Sequence, residues 1–273
     1  MSGHGDDIEH LLEEAWDLIE DDDLEGAEEK VAQAREAAPD DPGVLELEAE
    51  LALTEDNGLA ALASYEHWAD LDPDDPLPVI RAAEVHLDLL DDTKRAARML
   101  RAALADYDLD VVEEADARHL LGRALEERGD RKGMVREWLA VLRLDALSEP
   151  RRPRMAPEQF ERVAAGALAE LPDDLRRALA NVPVLVDDRP SEEMVLDGVD
   201  PRLLGLFSGL TLPDQSTLGG PPHTGTILLF QRNLERETRD LDDLADQIRI
   251  TVAHETAHYI GLDEDDLERL GLG

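Results

Sequence analysis

GAEEKVAQAREAAPDDP (26–42) and AALASYEHWADLDPDDP (60–76) decide how the first half of this chain is read. Set one beneath the other, they place Ala27 on Ala61 and Pro39 on Pro73, a displacement of 34 residues. Ala15, Ala49 and Ala83 also stand 34 apart. A fixed period of this length marks stacked helical hairpins, because one hairpin cannot bury its apolar face alone and does so against the next. The small side chains let the two helices of a pair approach, and a proline cannot continue the helix before it. From residue 8 to about 147 the text is helix-forming, with acidic, Gly or Pro clusters at the turns. LGRALEERGDRKGMVREWLAVLRLDA (121–146) repeats the pattern, with Leu121-Gly122 at the close-contact turn, after about five extra residues around 105–112. The third unit departs from it, with Arg95 and Tyr107 where alanine and proline are expected.

This period and placement of small residues resemble those of tetratricopeptide repeats. The resemblance implies an α-helical solenoid of about four helix pairs over residues 1–147, with a groove that holds a protein or peptide partner. Trp68 and Trp138 fall where repeats pack together and are expected in the core. His67, His86 and His119 sit singly on these helices and read as packing or surface residues, not as ligands.

Composition narrows the function classes. The formal charge is −39, and residues 1–80 hold 26 acids against Lys30 and Arg35. Such a surface repels phosphate backbones and anionic bilayers, so neither a nucleic-acid nor a membrane partner is expected. Three lysines stand beside 24 arginines, which fits a salt-adapted protein and equally a coding bias, and charge runs are mostly solvated faces. With no cysteine, disulfides, thiolate zinc sites and thiol nucleophiles are excluded, and a metal must be held by histidine and carboxylate. The N-terminus lacks a basic head with an apolar stretch, and no run reaches the eighteen or so apolar residues of a span, so a cytoplasmic location is expected.

SEPRRPRMAP (148–157) breaks the helical text with three prolines and the one basic cluster of the chain, and reads as a linker whose arginines bridge two acidic modules. Residues 158–273 then form a second domain of mixed content. EQFERVAAGALAEL and PDDLRRALAN read as helices, and VPVLVDD (182–188) and TGTILLFQRN (224–233) as strands. A long helix starts at Asp240, carries Leu241, Leu244, Ala245, Ile248 and Val252 on one stripe, and ends at Gly261. A short acidic helix is expected over 263–270.

HETAH (254–258) stands on that long helix. Histidines four apart project from one face one turn apart, so His254 and His258 can reach one ion. Glu255 is rotated about 100° from the first ligand and can place its carboxylate beside a metal-activated water instead of on the metal. That division of labour is what metal-assisted hydrolysis requires: one Zn²⁺ per chain, two imidazole ligands and Glu255 as catalytic base. Residue 264 is not histidine and no methionine follows Met194, which excludes the three-histidine pattern with a methionine turn. A ligand from a later helix needs more than the fifteen residues after His258. What remains for a third ligand is a carboxylate carried past Gly261, Glu264 or failing that Asp263 or Asp265; the alternative is that these acids only cap and solvate the short last helix.

EQFERVAAGALAELPDDLRRALANVPVLVDD, LLGLFSG, TILLFQRN and QIRITVAHETAHYIGLDEDDLERLGL together resemble the minimal zincins, small bacterial metallopeptidases with a matrix-metalloprotease-like domain. Their signature is similar to the aspzincin pattern HExxHxxGxxD, from which this chain departs by Glu264 at the aspartate position. The resemblance implies a small α+β domain with a short sheet packed on the active-site helix, and zinc-dependent peptidase activity. It also implies that the strand nearest the helix takes the substrate as an added strand, for which TILLF (226–230) is the candidate; the same residues read equally as a buried strand packed on the helix. His223 reads as an exposed loop residue, and Tyr259 as packing. Two functions follow: a peptidase whose repeats recruit a protein, or a non-catalytic adaptor whose zincin unit is a metal-stabilised or inactive scaffold.

Overall fold

The computed structural model describes residues 3–20, 23–148, 150, 152–171, 173–179, 182–209 and 225–262. The chain divides into two compact units, Met1–Ser148 and Glu149–Gly273.

The first unit is a helical-hairpin repeat region. Its helices are α1 (Gly3–Glu20), α2 (Leu24–Ala37), α3 (Pro42–Thr54), α4 (Gly58–Leu71), α5 (Leu77–Asp88), α6 (Thr93–Asp106), α7 (Val111–Glu127) and α8 (Arg131–Ser148), packed as successive pairs. The acidic turns are the helix caps. Asp23, Asp41, Asn57 and Asp92 each accept a backbone N–H from the first turn of the following helix, and Asp110 with Glu113 forms a reciprocal capping box. Pro39 and Pro73 follow the C-caps Ala38 and Asp72, where the backbone leaves the helix. Ala15, Ala27, Ala49, Ala61 and Ala83 are all fully buried, as the 34-residue register requires.

The third repeat corrects the strict register. Helix α4 begins at Gly58 and α6 at Thr93, 35 residues later, so the residue equivalent to Ala61 is Ala96, which is fully buried, and not Arg95. One inserted residue moved the alanine without losing it. In the last pair the close contact is between Gly122 and Trp138: a Cβ on Gly122 would lie 2.1 Å from Trp138 Nε1. Trp138 and Trp68 are buried core residues.

The second unit is a small α+β fold: α9 (Pro157–Glu170), α10 (Asp173–Ala178), β1 (Val184–Asp187), α11 (Glu192–Asp197), β2 (Gly205–Ser208), β3 (Thr226–Phe230), α12 (Gln231–Arg236) and α13 (Leu241–Ile260). Among the described residues three strands form a mixed sheet in the order β1-β3-β2, with β1 parallel and β2 antiparallel to β3. Ile227 and Leu229 of β3 pack with Phe160 and Ala164 of α9 and with Leu244, Ile248 and Val252 of α13 in one core. Helix α13 is capped by Asp240, whose carboxylate accepts the N–H groups of Asp242 and Asp243.

Of the two readings of TILLF, an edge strand or a buried strand packed on the helix, the second holds. The strand TILLF is the central strand, hydrogen-bonded on both sides, so it has no open edge for a substrate. Its hydrophobicity reflects burial between two neighbours and the helix layer. The stretch read as a linker is partly structural: Met155 is buried in the second core, and its N–H donates to Glu235 Oε1 at 3.2 Å. Arg154 donates to the Thr238 and Arg239 carbonyls at 2.6 and 2.9 Å, an interaction inside the second unit.

Candidate metal centre

The site is built on the last turns of α13. His254 and His258 are partly exposed, while Glu255 between them is 5% exposed. The i, i+4 spacing brings the imidazoles edge to face, with ring centroids 4.6 Å apart and the two Nε2 atoms 3.0 Å apart. Gly261, at φ 89°, ψ 22°, ends the helix in the left-handed region. The N–H groups of Gly261 and Leu262 then return to the carbonyls of His258 and Ala257, which closes a Schellman motif. This turn places the Leu262 carbonyl oxygen 3.3 Å from His258 Nδ1. A carbonyl only accepts, so a hydrogen bond at this contact needs the proton on Nδ1, which would leave the Nε2 lone pair of His258 facing His254.

The two Nε2 atoms stand near the spacing that a divalent ion would require. A tetrahedral zinc with Zn–N distances of roughly 2.0–2.1 Å separates two nitrogens by about 3.3 Å, a few tenths more than the 3.0 Å seen here. The backbone carbonyl that fixes the His258 tautomer is the kind of partner that metal-ligating histidines use. Among the described residues no third histidine or carboxylate joins the pair as a metal-holding group. Glu264, Asp263 and Asp265, the acids expected to complete the site, lie outside the described residues, as do His223 and the expected helix over 263–270.

Glu255 points to the sheet. Its Oε2 accepts the N–H of Phe207 at 2.5 Å, across 48 residues of sequence. Strand β2 approaches so closely that a Cβ on Gly205 would lie 3.0 Å from Glu255 Cγ and 2.6 Å from Thr251 Cγ2. Phe207 also packs its ring on Tyr259, with centroids 5.3 Å apart, and Tyr259 is buried. Neither the strand nor this contact was read from the residues alone. GLFS is four residues long with no alternation of apolar and polar positions, and only the glycine at 205 hinted at a close backbone approach.

Residues 179–273 match the model of the zincin-like metallopeptidase family. The C-terminal part of the chain therefore carries a zincin-like metallopeptidase domain, downstream of the helical-hairpin repeats. No curated protein matches the chain. Among solved structures, it is similar to a crystal structure of MamA protein at 16% identity and a TM-score of 0.43, over 64% of this chain and 87% of that one. A second MamA crystal structure shows 17% identity and a TM-score of 0.41, over 61% of this chain and 88% of that one. No helix among the described residues is long and apolar enough to cross a membrane.

Proposed function

We propose that this chain is a zinc-dependent peptidase whose repeat region recruits a protein or peptide. The observation that carries the reading is the convergence of the His254 and His258 Nε2 atoms on one face of α13, with Glu255 next in sequence to His254, in a domain matched by the zincin-like family. A zinc ion bound there would acidify a water and polarise a peptide carbonyl. His254 and His258 would hold it, with Glu264 as the third ligand and Asp263 or Asp265 as substitutes. Glu255 takes the proton of the attacking water and returns it to the leaving amine. The Phe207 N–H fixes the rotamer of that carboxylate, so little ordering remains to be done when substrate arrives. An extended substrate can add only to an edge strand, and among the described strands β2 is the edge strand whose residues approach Glu255.

One observation favours the adaptor reading. Glu255 already has a structural use, bracing β2 through Phe207, so its presence beside the histidines does not by itself require catalysis. Glu255→Gln separates the two roles, because the amide oxygen still accepts the Phe207 N–H but no longer serves as a base. On a denatured protein substrate with zinc supplied, the wild type is expected to cleave, and Glu255→Gln to keep its metal and lose on the order of a hundredfold or more in rate. Equal turnover by both proteins, or by neither, would remove the peptidase.

A further inference from the structure

A cleft of about 530 Å³ opens in the repeat region among α1, α3, α4 and α5. That is enough for a long side chain and its flanking residues. Trp16, Leu53, Tyr65, Val85 and Leu89 supply apolar wall. The polar lining is lopsided, with Glu46, Glu50, Glu84 and Asp88 against Arg81.

The ion pairs leave a clear remainder. Arg81 is 3.0 Å from Glu84, and Asp88 is held at 2.6 Å by Arg123. Glu46 and Glu50, partly buried and one turn apart on α3, have no ion-pair partner among the described residues. Like charges at i, i+4 oppose the helix that carries them. Neighbouring groups register the field: burial and the charge of Glu50 push the Glu46 carboxyl up, against the pull of Arg81. Burial, helped by Glu50, Glu46 and Glu84, pushes the Tyr65 phenol up to about 12.

We propose that this cleft binds a cationic stretch of a partner polypeptide, an arginine or lysine side chain lying against Glu46 and Glu50 and on the face of Trp16. A cation relieves the carboxylate repulsion, its aliphatic stem covers the leucine and valine wall, and an indole attracts it further. A bare metal ion would gain nothing from that wall, and a nucleic acid carries the wrong sign. The inference rests on the reading that the repeats recruit a protein, and it names the chemistry of the segment recruited.

The test uses the full chain and three fluorescein-labelled peptides of equal length, alternating leucine with arginine, glutamine or glutamate. Anisotropy is expected to show binding of the arginine peptide alone. Affinity should fall ~10-fold or more when Glu46→Gln and Glu50→Gln are combined, the loss of two close attractions for one cation. The exposed pair Glu13→Gln and Glu36→Gln, outside the cleft, removes the same formal charge and should leave affinity within about twofold. Equal losses in the two double variants mean attraction to the whole acidic surface and overturn the proposal. If the glutamine peptide binds as tightly and Trp16→Ala weakens it, recruitment by the repeats stands and the cationic preference falls. If none of the three binds, both readings fall. The peptidase reading is untouched by any of these results, because binding is measured equally well with Glu255→Gln.

Discussion

The Nε2 atoms of His254 and His258 lie 3.0 Å apart, within hydrogen-bonding distance of each other. The Leu262 carbonyl, 3.3 Å from His258 Nδ1, can only accept, and with the His258 proton on Nδ1 the proton between the rings would belong to His254 Nε2. An ion bound by both Nε2 atoms displaces that proton. Long-range ¹⁵N–¹H correlation spectra should therefore show His258 as the Nδ1–H tautomer with and without zinc, and His254 switching tautomer when zinc is added. A His258 that is Nε2–H in both states would contradict the geometry.

Glu255 and Phe207 join helix α13 to strand β2, and the two obvious variants should differ in stability as well as in activity. Glu255→Ala strips the acceptor from the Phe207 N–H and opens a gap beside Gly205. A loss of about 1–3 kcal/mol in urea unfolding is expected. Glu255→Gln keeps an acceptor in the same place and should fall within about 1 kcal/mol of wild type. Equal destabilisation by both would show that the contact does not brace the strand.

The last helix pair depends on a single missing side chain. With Trp138 Nε1 only 2.1 Å from where a Cβ of Gly122 would stand, Gly122→Ala must displace a buried indole. Overpacking of this kind costs about 1–3 kcal/mol, even though alanine is intrinsically the better helix former. Denaturant titration and Trp fluorescence of the folded variant would report both the cost and the shift of the ring. A neutral or stabilising outcome would mean that α7 and α8 pack less tightly than described.

His86 gives the repeat region a pH dependence. It is buried with no partner for either ring nitrogen among the described residues, and burial, with the charge of Arg95, lowers its pKa below the usual 6.5 against the weaker pull of Asp92 and Glu66. The unfolded chain therefore binds the proton more readily than the folded one. The stabilising contribution is full above about pH 6.5 and is lost as the pH falls below it. His86→Leu should flatten the part of the decline between about pH 7 and 5 that wild type shows in thermal unfolding. An unchanged slope would assign that decline to other groups.

What was legible in the residues is what depends on local spacing. The alanine and proline period revealed the hairpins, and Asp240, the apolar stripe, HETAH and Gly261 marked the site helix from cap to cap. Non-local facts were less legible. A strict 34-residue count assigned Arg95 to a position that one inserted residue gives to Ala96. The apolar run TILLF reads alike for an edge strand packed on a helix and for a central strand. Only pairing with both β1 and β2 decides it. Met155 looked like linker because it follows Arg-Pro-Arg, yet its backbone is held by Glu235 and Gln231 of α12, some 80 residues away. The contact of Glu255 with Phe207 spans 48 residues and leaves no periodic trace.

Zinc titration calorimetry on the chelator-stripped chain of 273 residues tests the central claim most directly, with wild type compared against the combined His254→Ala and His258→Ala variant. One tightly bound zinc per wild-type chain, absent from the variant while the repeat region keeps its helical signal, is the predicted result. No uptake by the wild type, or the same uptake by both proteins, would contradict a metal centre on this helix.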